Sequence, residues 1–520
     1  MLPSNLNYSF ANVPECEIPR SSFLRKHTYK TTFDSGYLVP FYFDEVLPGD
    51  TFNFKATLFA RLATPLTPIM DNLYLDTFYF YVPLRIIWSN FKKFMGEKTN
   101  PSDSTSYLCP VVTAPASGGF TVGSLYDYFG LPTGVGGITP TNFLGRAYNL
   151  IYNEWFRDQN LQNSATVDLG DGPDDPSLYI LRRRGKRHDY FTSCLPWPQK
   201  GAGVALPLGT EAPVVTNGLQ PTINGGGGTN RGLSTSPSIG VSYEGSSVLG
   251  GALTFGNQSG LKADLSTASS ATINQLRQAF QLQKMFEKDA RGGTRYIERM
   301  KVHFGVTSPD ARVQRPEFLG GNSTPVMINP VVQQSGTASG TTPQGTLAGY
   351  GSVTSHREGF TKSFTEHGVI IGIMSVRADL TYQQGMHRMH SRRHPEEFYW
   401  PSLAHLGEQP VYNREIYCQG TPADSAVFGY QERWAEYRYA QSYITGKFRS
   451  TYATPLDYWH LSQEFGSLPT LNTTFIEENP PISRVVAVPS EPQFLFDSFI
   501  ECNTVRPMPV YSVPGYIDHF

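Results

Sequence analysis

The sequence predicts a mainly β protein with a few short helices, and three observations carry that prediction. From Thr51 to Leu62 the chain alternates nearly strictly: Phe52, Phe54, Ala56, Leu58, Ala60 and Leu62 against Thr51, Asn53, Lys55, Thr57, Phe59 and Arg61. A period of two places one set on a core face and the other on an open or partner-facing face. From Leu73 to Val82 aromatics occupy both parities, with Tyr74, Phe78 and Phe80 on one side and Tyr79 and Tyr81 on the other. A strand apolar on both faces is covered on both faces. The 49 glycines and 39 prolines supply the many turns that short strands need.

Taken in order, residues 1–32 read as a polar, basic N-terminal arm carrying Arg20, Arg25, Lys26, His27 and Lys30, either solvated or in contact with phosphates or a partner. Pro48-Gly49-Asp50 marks a turn ahead of the alternating strand, and Pro83 ends the second strand because it has no N–H for the ladder. Ile86 to Met95 has helical character and stops at Gly96. Thr139-Pro140 reads as N-cap and first helical residue of a helix with Leu144, Ala147, Tyr148, Ile151 and Trp155 on its packing face. Between them, 100–137 is loop-like.

The run DLGDGPDD, with Asp168, Asp171, Asp174 and Asp175, lacks the spacing of a calcium loop and reads as a turn. Arg182, Arg183, Arg184, Lys186 and Arg187 follow. Five cations in six positions can neutralise phosphates or pair with acids upstream or on a neighbour. After the rigid bend Leu195-Pro196-Trp197-Pro198, residues 201–260 hold fifteen glycines and only Glu211, Arg231 and Glu244 as charges. The stretch reads as a long looped surface excursion; its four-glycine run Gly225–Gly228 lacks the lysine and strand-to-helix setting of a phosphate cradle.

Thr272 to Gln275 fits a capping box opening a packing helix through Phe286 that ends at Gly292-Gly293. Gly368 to Leu380 reads as a buried strand, and Trp434 to Arg449 and Phe494 to Cys502 as strand-like runs. His387 and His390 stand in H-x-x-H spacing, but basic neighbours and the missing glutamate of H-E-x-x-H favour a solvated or subunit-facing segment over zinc.

The composition narrows the function. Net charge is −2 and the pI about 6.6, which excludes a globally basic nucleic-acid binder or an acidic tail. Charged residues are 17% and aromatics 13%. That balance fits a surface largely covered by other subunits, or an aromatic carbohydrate cleft in a β-sandwich enzyme. Five scattered cysteines without C-x-x-C spacing argue against disulfides or structural zinc and fit a reducing compartment. No secretory leader opens the chain, and the apolar run Val369–Val376 is too short to span a bilayer, so no membrane insertion is expected. No nucleophile elbow, Walker loop or dinucleotide fingerprint is present, and Asp44 and Glu45, adjacent on a strand, would point apart. No catalytic, cofactor-binding or metal residue is assigned.

Several stretches closely resemble the major capsid protein of the Microviridae, in its gokushovirus branch of small single-stranded DNA bacteriophages. They include TTFDSGYLVPFYFDEVLPGDTFNFKATLFARLATPLTPIMDNLYLDTFYFYVPLRIIW (31–88), RRGKRHDYFTSCLPWPQKG (183–201), GFTKSFTEHGVIIGIMSVRADLTYQQG (359–385), FYWPSLAHLGEQPVYNREIY (398–417) and RPMPVYSVPGYIDHF (506–520). Departures fall mainly at 100–137, 201–265 and 321–352. The resemblance implies one jelly-roll domain over 1–520, of eight antiparallel strands with long loop insertions, and residues 201–265 as a surface insertion that meets a host bacterial receptor. It implies sixty copies closed into a T=1 icosahedral shell around circular single-stranded DNA. An internal scaffolding protein and a DNA pilot protein would be partners, assembly would occur in the host cytoplasm, and the protein would reside in the virion. By charge alone, the basic arm and Arg182–Arg187 become candidates for contact with DNA or a neighbouring subunit.

Overall fold

The computed structural model describes residues 19–204, 313–336 and 343–511, and between them the segments 214–216, 222–224, 230–236, 240–243, 254–255, 261–263, 273–293 and 296–305. Two antiparallel sheets dominate. We label their strands β1 (Ser21–Phe33), β2 (Val39–Val46), β3 (Thr51–Leu62), β4 (Leu73–Pro83), β5 (Glu317–Pro325), β6 (Met327–Val332), β7 (Leu347–Ser363), β8 (Gly368–Ala378) and β9 (Phe494–Arg506). One sheet has the order β1-β9-β3-β7-β6 and the other β5-β4-β8-β2. Sequence neighbours β1, β2, β3 and β4 alternate between the sheets, the crossing pattern of a jelly roll. The sheets hold one strand more than the eight expected among the described residues, because β6 pairs on the outside of β7.

The period-two reading of β3 holds. All six even-numbered side chains from Phe52 to Leu62 are buried, and Phe59 on the other face is 47% exposed. The turn before β3 forms at Gly49, whose φ of 90° suits glycine, and the Asp50 carboxylate accepts the Leu47 amide at 2.9 Å. Between the sheets, the Phe54 ring meets Tyr42 at 4.4 Å, Tyr79 at 5.0 Å and Phe360 at 5.3 Å, so β2, β3, β4 and β7 share one aromatic centre. Each such ring removed from water contributes roughly 1.5–3 kcal/mol.

The second face of β4 is covered by its own chain. Phe80 and Val82 join a separate core with Trp88, Ala147, Tyr148 and Ile151, contributed by the insertion after β4. That insertion holds a helix at Phe143–Ile151, three residues later than Thr139-Pro140 would place it, because Thr141 bridges to Val111 and Asn142 takes the cap position. The helical run expected over 86–95 is two short pieces, Leu84–Ile86 and Phe91–Phe94.

Other expectations shift as well. The second half of the basic arm is strand β1, drawn into the sheet by thirteen register partners on β9; residues 1–18, including Cys16, lie outside the described residues. The strand-like run 434–449 is turns and 3-10 helix instead, with Trp434 in the left-handed region at φ 66°. Gly368 to Ala378 is a strand buried throughout, as expected, and Phe494 to Cys502 falls within β9.

The chain divides into two compact units, 1–198 with 306–520, and 199–305. The second unit contains short strands where a looped excursion was expected. Val214–Thr216 pairs with Leu261–Ala263, and Thr222–Asn224, Asn230–Ser236, Gly240–Tyr243 and Thr254–Phe255 form another sheet. β-Branched and aromatic residues between glycines account for strands this short. It also contains helices Ile273–Arg291 and Tyr296–Phe304, tied by His303 to Asp289 at 2.7 Å. Phe280 on the expected packing face is 64% exposed. The Thr272 cap and the Gly225–Gly228 run lie outside the described residues.

Candidate functional site: basic clusters, clefts and exposed faces

The densest basic motif is built into the fold. Its backbone is stitched on both sides: Leu38 N–H donates to the Arg182 carbonyl, Arg184 N–H to Gly36, and Lys186 N–H to Ile476. Arg182 lies over the Tyr152 ring at 5.6 Å and donates to the Leu178 carbonyl at 3.2 Å. Arg183 covers the Tyr37 ring at 4.1 Å and donates to the Glu478 carbonyl at 3.0 Å. Arg184 pairs with Asp76 of β4 at 2.5 Å. Lys186 donates to the Phe475 carbonyl at 2.7 Å and to Gln463 at 2.8 Å, and burial pushes its ammonium pKa down. Arg187 is exposed. Four of the five cations thus have partners in their own chain: Arg184 ties the motif to β4, Arg183 and Lys186 tie it to the 463–479 segment, and Arg182 holds the 152–178 insertion.

Asp76 is the hub. Arg377 of β8 reaches the same carboxylate at 2.8 Å, and the Ser323 hydroxyl of β5 donates to its other oxygen at 2.5 Å. Burial raises the Asp76 pKa, but the charges of Arg184 and Arg377 and the Ser323 bond outweigh it and leave the carboxyl below its ordinary value.

The upstream acids do not serve this cluster. Asp174 forms a fully buried pair with Arg146 at 2.6 Å, and Asp171 accepts the Trp88 indole N–H at 2.7 Å. Asp168 accepts the Gly170 amide and Asp175 caps Ser177. Each acid closes a turn or a core contact. No group of three or more candidate metal ligands occurs among the described residues, and His387 and His390 have ring centres 6.4 Å apart. The described cysteines 109, 194, 418 and 502 are free.

The N-terminal cations divide by strand parity. Arg25 pairs with Asp44 at 2.5 Å, donates to Thr504 at 2.8 Å and lies over the Phe52 ring at 5.5 Å. Lys26 and Lys30 sit on the outer face of β1, paired with Glu501 at 2.7 Å and Asp497 at 2.6 Å of β9. Arg20 is exposed just before the strand.

Two features escaped the reading of the sequence. The first is the outer face of the larger sheet, which adds Lys55, Arg61, Arg357, Phe59 and Phe499 to those lysines from strands hundreds of residues apart. Only Phe59, out of pattern among polar neighbours, signalled it. The second is an aromatic apron over 389–452, where Phe398, Tyr399, Trp400, Tyr437, Tyr439 and Tyr443 are 48–76% exposed. Two of its cations are paired within the chain: Arg392 with Glu436 at 2.9 Å, stacking on Tyr437 at 4.4 Å, and Arg438 with Glu432 at 2.7 Å; Arg393, Lys447 and Arg449 are exposed. Read as a linear segment, this region resembled strands or a basic loop.

A cleft of about 710 Å³ is lined by Tyr37, Phe120, Tyr126, Tyr128 and Tyr179, the kind of aromatic hollow an enzyme reading would require. Its two carboxylates are committed: Asp34 accepts the Gln493 amide at 3.0 Å and Asp127 the Gly123 amide at 2.7 Å. No helix among the described residues is long and apolar enough to cross a membrane.

Comparison with known proteins agrees with this structural picture. Residues 11–516 match the model of a family described as capsid protein (F protein). The chain is 47% identical to the capsid protein VP1 of Bdellovibrio phage phiMH2K, an alignment covering 99% of this chain and 98% of the relative. It is 45% identical to the capsid protein VP1 of Chlamydia phage 1, with 99% and 98% covered, and 38% identical to that of Spiroplasma virus 4, with 96% and 95% covered. The fold and these full-length matches lead to one conclusion: the chain belongs to the capsid protein (F protein) family, in its gokushovirus branch, and is, like these relatives, a structural capsid protein of a virion and not an enzyme.

Proposed function

We propose that this chain builds a T=1 icosahedral shell of sixty copies around a circular single-stranded DNA genome. The observation that carries the reading is the aromatic apron of 389–452. Half-exposed rings this numerous, with Arg392 and Arg438 neutralised by Glu436 and Glu432, make a surface of large aromatic area interspersed with charges such as Arg393 and Lys447. Such surfaces are stabilised by contact with another protein surface. In a closed shell each copy meets its neighbours across several symmetry axes, so moderate contacts add up to a stable container.

Assembly in this reading takes place in the host bacterial cytoplasm with an internal scaffolding protein, and a DNA pilot protein accompanies the genome. The glycine-rich insertion 201–265 meets the host surface receptor. Co-expression with the phage's scaffolding protein should give uniform particles in negative-stain microscopy, and Tyr399→Ser with Tyr437→Ser should lower their yield. Persistent monomers of the parent chain would overturn the reading. Deleting 205–260 should spare particles and abolish adsorption; unchanged adsorption would remove the attachment role.

A further inference from the structure

We infer that the outer face of β1-β9-β3-β7 is a sequence-tolerant platform for single-stranded DNA, with phenylalanines stacking on bases between rows of cations. The inference rests on the proposed genome-containing shell and names the surface that meets the strand.

The register lays out the face. Lys30, Asp497, Phe59 and Thr354 form one row across the four strands, and Thr28, Phe499 and Thr57 continue in the next. Lys26, Glu501 and Lys55 make a third. Phe59 and Phe499 are therefore diagonal neighbours on adjacent strands, about 7–8 Å apart by ladder geometry. They are 47% and 42% exposed, unlike the buried rings of the opposite parity. Two open aromatic faces side by side can each take a base, and such stacking tolerates any base because every base has a π-face.

Charge surrounds the rings. The face carries five cations, Lys26, Lys30, Lys55, Arg61 and Arg357, against the carboxylates Asp497 and Glu501, in a chain whose net charge is −2. Lys30 and Lys26 answer those two acids, which leaves Lys55, Arg61 and Arg357 without a carboxylate of their own. Glu501 feels the surplus. A hydrogen bond from Lys26 and then the charges of Lys26, Arg357 and Lys55 hold its carboxyl below the ordinary value. Arg357 sits within the β7 irregularity between Ser355 and Glu358, at φ 51°, a conformation that disfavours any side chain. Strain kept at an exposed arginine is the mark of a position held for contact. The rival basic motif, Arg182 to Lys186, is engaged within the chain. The platform presents cations for phosphates and rings for bases, and its remaining polar groups are mainly Thr and Asn.

Fluorescence anisotropy with a labelled 20-nucleotide oligo(dT), read against salt, tests the inference on the full-length protein kept unassembled, with the face open to solvent. Lys55→Gln with Arg61→Gln and Arg357→Gln should weaken binding at least tenfold and flatten the log–log salt slope by about 2, since each phosphate neutralised on a single strand contributes about 0.7. Phe59→Leu with Phe499→Leu should weaken binding about tenfold with the slope unchanged. Lys55→Glu alone replaces the triple variant should that one fail to fold, with the same direction expected. Parent-like affinity and slope in folded variants would overturn the inference. Microscopy of the same chains co-expressed with the scaffolding protein separates the outcomes: variants that form shells and bind oligo(dT) like the parent when unassembled refute the platform and leave the capsid reading standing, whereas failure of the parent to form shells refutes the reading beneath it.

Discussion

Arg184 of the basic motif points its guanidinium at Asp76, 2.5 Å away and more than a hundred residues earlier in the chain, while Arg377 holds the same carboxylate from the neighbouring strand. Arg184 therefore ties the basic motif to β4 within the larger unit. Asp76→Asn should cost about 3–5 kcal/mol at neutral pH, because two guanidinium groups lose their countercharge in a largely buried place. Urea unfolding at pH 7 reads that loss directly.

The same group sets an acid limit. The folded Asp76 pKa lies below its unfolded value of about 3.9. Its contribution is then fully present above that value and is lost as pH falls through the lower folded value. The gap in stability between the parent and Asp76→Asn should stay level from pH 7 to about pH 5 and narrow below about pH 4. Urea midpoints across that range check the sign; a gap that widens on acidification would contradict it.

Arg146 and Asp174 form the most deeply buried ion pair, with both side chains at 0% exposure. Arg146→Met leaves Asp174 with Asn142 and Tyr179 but no cation, and should destabilise by about 3–5 kcal/mol. Replacing both partners by apolar residues should recover a large part of that loss, which thermal unfolding of the two variants can compare.

Strand parity on β3 makes a paired prediction. Phe54→Ala empties the aromatic centre shared by Tyr42, Tyr79 and Phe360 and should cost about 3–5 kcal/mol. Phe59→Ala, five residues on and facing outward, should stay within about 1 kcal/mol in the unassembled protein. Chemical denaturation of the two variants distinguishes a core role from a surface role.

Arg357 should trade stability for contact. Arg357→Gly relieves a left-handed conformation and should leave stability unchanged or raise it by up to about 1 kcal/mol, while weakening oligo(dT) binding. A clear loss of stability would mean that the arginine is held there for the fold.

The sequence announced what depends on local pattern and was silent where the answer depends on pairing. The alternation of Phe52 to Leu62 was enough to sort core from outer face. The two-sided aromatics of β4 correctly required two covers, but the second cover came from Trp88, Tyr148 and Ile151 of its own insertion. Trp434 to Arg449 has strand composition, yet a left-handed Trp434, its amide held by Gln409, breaks it into turns. The outer face of the larger sheet was illegible for a different reason. Lys26, Lys55, Phe59, Arg357 and Phe499 become neighbours only through the register of β1, β9, β3 and β7, and no linear window contains it.

A particle reconstruction tests the central claim most directly, because it reports both the shell and the direction of each sheet face. The account predicts closed sixty-copy particles in which the Phe59 and Phe499 face lines the interior against density for nucleic acid, with the 389–452 apron buried between copies. Particles in which that face points outward or lies sealed in a contact between copies, with the apron bare, would contradict it.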